Sequence, residues 1–110
     1  MGAAAVPPVI AVLREPDADP GVPLPDYATS GAAGADLRAN LPQGQRDSGI
    51  ILEPGGRALI PTGLRVAIPD GYEMQVRARS GLALKHGVTL ANAVGTVDSD
   101  YRGPLGVILL

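Results

Sequence analysis

Cysteine, tryptophan and phenylalanine are absent from this chain of 110 residues, and histidine occurs once, at His86. Each absence closes off a class of function. Without cysteine there is no disulfide framework and no thiolate zinc site, and one histidine makes no imidazole cluster. Three tyrosines are the only aromatics, so the core rests on Val, Ile, Leu and Ala. The net charge of −2 lacks the basic excess of a non-specific nucleic-acid binder. No apolar run approaches the roughly 20 residues of a membrane helix. The opening MGAAAVPP has no basic segment of a secretion signal, and Val6 stands where a myristoylation pattern needs Ser or Thr. A soluble cytoplasmic protein is expected, with neither nucleic acid nor membrane as partner.

What the chain does have is 15 glycines and 11 prolines. That many turn residues, without long runs of helix formers, predict an all-β, mostly antiparallel domain with many short connections. The length allows one core, so residues 1–110 are read as one domain, 1–8 as a loose tail. Residues 9–13 read as a short strand. Prolines at 16, 20, 23 and 25 forbid regular pairing across 14–31. Residues 35–39 read as a short strand, 40–49 as an exposed loop without chemistry, 50–52 as a strand start and 53–56 as a turn. Leu64, Val66 and Ile68 alternate with Arg65 and Ala67 at the period of a half-buried strand. After a turn at 69–71, Tyr72, Met74, Val76 and Ala78 alternate with polar residues, the clearest periodic signal present. Residues 80–87 allow one or two helical turns. Residues 88–97 and 105–110 read as the arms of a hairpin with GTVDSDYRG (95–103) near its tip. The final GVILL is apolar, so further chain or a partner is expected to cover it.

Three loops carry polar groups worth weighing. In GAAGADL (31–37) small residues let the backbone approach other groups and one carboxylate, Asp36, follows; taken alone, a flexible loop with a solvated aspartate is the better reading. In RARSGL (77–82), Arg79, Ser80 and backbone N–H groups at a helix start suit a phosphate; the plainer reading, a solvated strand face ending in a serine cap, fits equally well. In GTVDSDYRG, Asp and Ser favour a turn. Yet an acid, an aromatic ring and glycine-exposed backbone together suit a nucleoside. Each loop alone is ambiguous; their co-occurrence in one small β domain points to a nucleotide site.

Taken in order, GAAGADLRA (31–39), RARSGLALKHG (77–87) and NAVGTVDSDYRG (92–103) resemble the first three motifs of the trimeric deoxyuridine triphosphatases. The likeness runs from Val9 onward, and its third motif is the most specific. The resemblance implies a distorted jelly-roll β-barrel with one short helical segment, and Mg²⁺-assisted hydrolysis of dUTP to dUMP and pyrophosphate by a homotrimer with shared active sites. It assigns Asp36 to the magnesium, through water. Arg79, Ser80 and the Gly81 backbone would hold phosphate oxygens. Asn92 and the backbone of Thr96, Val97 and Gly106 would line a uracil slot. Asp98 would bind near the 3′-hydroxyl and act as the base for water, and Tyr101 would pack against the sugar.

Two positions depart from the family pattern: Ala78 where proline is frequent, and Pro104 where a polar residue is frequent. Pro104 lacks an N–H and is expected at an edge or non-bonded position. The family's fourth motif and its glycine-rich C-terminal arm would fall after Leu110, so the 110 residues alone are expected to be a poor catalyst. Two other readings stand beside this one. A dCTP deaminase of the same fold would need a glutamate near the base, and none is evident. A non-catalytic nucleotide-binding or regulatory module, or a purely structural β trimer, would have no need of Asp98 and Tyr101.

Overall fold

A computed structural model describes residues 6–110. Residues 1–5 of the expected tail lie outside the described residues; Val6 to Ile10 are irregular and exposed. Among the described residues the strands are antiparallel, as the glycine and proline content predicts, with one short α-helix and a 3-10 turn at Gln43–Gln45. Strand β1 (Ala11–Arg14) pairs with β2 (Ala58–Ala67), and β2 with β5 (Pro104–Leu109), giving the sheet order β1-β2-β5. A second sheet pairs β3 (Met74–Val76) with β4 (Gly95–Val97). Helix α1 (Ser80–His86) joins β3 to β4.

The core lies between the two sheets. On β2 the period-2 pattern holds as expected: Ile60, Leu64, Val66 and Ile68 are buried while Arg65 and Ala67 are only partly covered. Val66 and Ile68 meet Val97 of β4 and Leu105 of β5, and Leu37, Met74 and Val76 close the cluster. Burying an aliphatic side chain contributes roughly 1.5–3 kcal/mol, so this aliphatic contact is the main force holding the sheets face to face.

β2 is not regular. Its register with β5 shifts between Pro61 and Leu64. Thr62 is buried there and its hydroxyl donates to the Leu105 carbonyl at 2.6 Å, replacing ladder bonds that the bulge interrupts. Gly63 takes φ +69°, and a Cβ on it would lie 2.8 Å from the Ala18 Cβ and 3.0 Å from the Asn40 Cγ. Only glycine combines that φ with that approach.

Several local expectations need correction. Residues 35–39 form no strand: Asp36 makes a single isolated bridge with Asp26, through an Asp36 N–H to Asp26 carbonyl bond of 3.0 Å. Residues 50–52 form none either. Gly49 and Gly55, with φ of 74° and 75°, bracket them with left-handed turns, and Ile51 stays 82% exposed. The 40–49 loop is not wholly exposed, because Asn40 is buried and its amide both accepts from Asp19 N–H and donates to Asp19 C=O, each at 3.0 Å. The alternation over 72–78 yields only a three-residue strand: Tyr72 is spent on the Pro69 turn, and β4 offers three partners.

The expected hairpin of 88–97 and 105–110 is half right. Thr89 and Leu110 exchange two backbone bonds of 3.0 and 2.9 Å, and Ala91 N–H donates to Ile108 C=O at 3.0 Å. Beyond that the arms part, β4 going to β3 and β5 to β2. The segment 98–103 therefore crosses from one sheet to the other. Pro104 opens β5, where a missing N–H is tolerated, as expected.

Candidate nucleotide site

Asp36 reaches its place because the Asp26 bridge holds its backbone and the next residue, Leu37, packs against the core. Its carboxylate Oδ1 lies 4.0 Å from Arg79 Nε. The first and second loops, far apart in the chain, thus meet through one acid and one cation. At 69% and 37% side-chain exposure the pair is solvated and contributes little stability. Both groups are correspondingly available to a charged ligand.

Arg79 is the extended residue before α1, with φ −98° and ψ 128°, and no side chain caps the helix. Ser80 is the first helical residue rather than its cap, a correction to the plainer reading of that loop. The helix stops at Gly87, φ 66°, whose N–H bonds to Ala83 C=O at 3.0 Å while Val88 N–H bonds to Leu82 C=O at 3.2 Å, a left-handed glycine stop. Arg77 turns away, holding the Gln75 side-chain oxygen at 2.6 Å. Of the two arginines in RARS, only Arg79 faces the acid of the first loop.

The third loop is a self-bonded turn. Tyr101 N–H donates to Asp98 C=O at 3.1 Å, and Arg102 Nη1 donates to the carbonyls of Ser99 (2.6 Å) and Tyr101 (3.0 Å). Tyr101 Oη donates to Pro104 C=O at 2.7 Å, which lays the ring over Gly103. A Cβ on Gly103 would sit 2.6 Å from that oxygen and 2.7 Å from the ring Cζ. Asp98 is exposed, and no side-chain hydrogen bond among the described residues engages its carboxylate.

Between β4 and β5 lies a cleft of about 70 Å³. Asn92, Thr96, Val97 and Gly106 all line it, with Val76 and Leu90 adding apolar wall. The four residues expected to hold a base are therefore neighbours around one opening. Gly95 contributes by its lack of a side chain, since a Cβ there would stand 3.2 Å from Asn92 Nδ2. A larger hollow of about 330 Å³ lies beside Glu15, Asn40, Arg65 and Pro104, and none of the expected site residues lines it.

The expected residues thus fall into three groups: Asp36 with Arg79, the cleft, and the Asp98–Tyr101 turn. No hydrogen bond or ion pair among the described residues ties the first group to the other two. Reading the sequence missed Gly95 and Gly103 as shaping residues, although the two glycines bracketing TVDSDYR were the available signal.

No group of three or more Asp, Glu, His or Cys placed to hold a metal occurs among the described residues. A single carboxylate such as Asp36 suits Mg²⁺, which keeps much of its water and is carried largely by substrate phosphates. Among the described residues no helix is long and apolar enough to cross a membrane.

Residues 21–110 match the dUTPase family model. The deoxyuridine 5′-triphosphate nucleotidohydrolase of Dinoroseobacter shibae is 69% identical over 101 residues, covering 92% of this chain and 65% of the relative. That of Caulobacter vibrioides NA1000 is 65% identical over 89 residues, covering 81% of this chain and 56% of the relative. The chain spans about three fifths of the length of these curated relatives. Among solved structures, the dUTPase of phage phi11 of S. aureus, described for its coordination of a structural Mg(II) ion, superposes with a TM-score of 0.71 at 25% identity, over 92% of this chain and 58% of its own. A Staphylococcus bacteriophage 80alpha dUTPase gives 0.72 at 24% identity, over 92% and 57%. Those matches carry the jelly-roll-like β fold, and with the family match over most of the chain they make it a member of the dUTPase family.

Proposed function

We propose that this chain carries most of the active site of an enzyme that hydrolyses dUTP to dUMP and pyrophosphate, acting in the cytoplasm as a homotrimer with shared sites. The observation that carries the reading is the cleft between β4 and β5: Asn92, Thr96, Val97 and Gly106 line one opening, and the turn that continues from Val97 bears an unengaged Asp98 and an oriented Tyr101. Backbone N–H and C=O groups along the cleft pair with the uracil edge. Cytosine would meet donors with a donor, and a site left with unpaired polar groups rejects a ligand strongly. The Tyr101 ring packs on the deoxyribose where a 2′-hydroxyl would need room.

Asp98 takes a proton from water as that water attacks the α-phosphorus. The bond from that phosphorus to the α–β bridging oxygen breaks, and pyrophosphate leaves. A triphosphate brings about four negative charges, which must be offset before an anionic phosphorus is attacked. Arg79, Ser80 and the Gly81 backbone meet the phosphates. Asp36 sits 4.0 Å from Arg79 and would hold Mg²⁺ through its water shell; when bound, the ion supplies further neutralisation of the phosphate oxygens.

Pyrophosphate release from dUTP and ammonia release from dCTP, assayed side by side on the full-length protein, test the reading. The expected outcome is pyrophosphate from dUTP alone; no glutamate lines the cleft to serve a deamination. Asp98→Asn should keep nucleotide binding and lose roughly 10²–10⁴-fold in turnover, the usual weight of a general base. Wild-type turnover in that variant would remove Asp98 from its role.

A further inference from the structure

We propose that Arg65, held by Glu15, is a positioning residue for the Asp98–Tyr101 turn; the inference rests on the reading of that turn given above. Arg65 stands on β2 opposite Leu13 of β1 and Pro104 of β5. Its guanidinium works in two directions. Nε donates to Glu15 Oε1 at 2.7 Å, and Nη1 donates to the Arg102 carbonyl at 3.0 Å. Glu15 is itself fixed, its N–H donating to Gly63 C=O at 2.7 Å across the β2 bulge.

The need for such a brace follows from Pro104. At the point where the turn joins β5, proline brings no N–H to the pair with Arg65, so the ladder has one donor fewer there. The last residues of the turn would otherwise be tied to β2 only from Leu105 onward. Arg65 supplies the missing donor from a side chain and places it one step nearer the site, on Arg102. The next bond in the series is Tyr101 Oη to the Pro104 carbonyl, so the carbonyls on either side of Gly103 are both fixed. A planar fork reaching two acceptors at once is what arginine offers and lysine does not. Glu15 orients that fork, and with its side chain 20% exposed it is better shielded than an ordinary surface partner.

Two readouts test the brace. Tyr27, Tyr72 and Tyr101 are the only aromatics besides His86, so the Tyr101 ring signals and the Ser99–Gly103 amides are resolvable by NMR. Arg65→Met keeps an unbranched apolar stem and should shift and broaden those signals; Arg65→Lys should do so less. In the full-length protein Arg65→Met should lower kcat for dUTP about tenfold and move KM less than about twofold, because misplacing a reacting group by under 1 Å costs on that order. Combining Arg65→Met with Glu15→Ala should cost little more than either alone, as expected of residues in one network. Unmoved turn signals in a folded Arg65→Met, or a lowered Tm with kcat unchanged, would overturn the proposal. If the wild type released no pyrophosphate while the turn signals still responded, the brace would stand and the assigned activity would fall.

Discussion

Gly103→Ala isolates the part played by the Tyr101 ring. Gly103 has no left-handed φ, so alanine brings no backbone strain and acts only through its methyl group. That group would lie 2.6 Å from Tyr101 Oη and 2.7 Å from Cζ. Carbon atoms in contact settle at about 3.5–4.0 Å, so the ring must withdraw by about 1 Å. That movement breaks the 2.7 Å bond from Tyr101 Oη to Pro104 C=O. An intramolecular hydrogen bond is worth a net 0.5–1.5 kcal/mol or so, and the lower end applies because Tyr101 is 43% exposed. The expected stability loss is therefore below about 1 kcal/mol, visible as a small drop in Tm. The functional loss should be larger. With the ring moved off the sugar, the ratio of kcat/KM for dUTP to that for UTP should fall about tenfold, equivalent to about 1.4 kcal/mol of discrimination. Tyr101→Phe, which keeps the ring and loses only the hydroxyl, should fall less. Steady-state kinetics on both nucleotides at matched Mg²⁺ give the ratio. An unchanged ratio in a folded Gly103→Ala would mean that another residue guards the 2′ position.

Two further glycine substitutions separate cramped sites from merely neighbouring ones. Gly63→Ala meets both the φ of +69° and the buried Asn40 and Ala18, so a loss on the order of 2–4 kcal/mol is expected in urea unfolding; a loss below about 1 kcal/mol would show that the β2 bulge relaxes freely. Gly106→Ala places its methyl 2.6 Å from Leu59 Cδ1, but Leu59 is 67% exposed and can swing outward. Its unfolding midpoint should stay within about 0.5 kcal/mol of wild type, and a larger drop would mean that Leu59 is held in place by contacts the single chain does not contain.

Legibility in the sequence followed the range of the interaction responsible. The inward set Leu64, Val66 and Ile68 was readable because a strand's side chains alternate whatever it pairs with. The turns at 53–56 and 69–71 were readable because proline and glycine act on their own backbone. The order of the three motifs was readable as a family pattern, whereas that Asn92, Thr96, Val97 and Gly106 line one cleft is seen only in the fold. Failures came where the partner decided. Ile50 to Leu52 have strand composition and no partner strand among the described residues, and 35–39 found only the Asp26 bridge.

The sequence by itself determined the class of fold and the family. These rest on composition, local periodicity and the order of residues, none of which needs a third dimension. Only the tertiary structure decided that Val97 and Leu105 would pack on one core from different sheets, and this is what splits the expected hairpin. Apolar burial across two sheets outweighed the short-range pairing that adjacent arms favour. The same crossing strings the 98–103 turn between the sheets. That turn hands its Arg102 carbonyl to Arg65, and elsewhere the fold sets Asp36 beside Arg79, contacts between residues whose spacing along the chain carries no sign of their meeting.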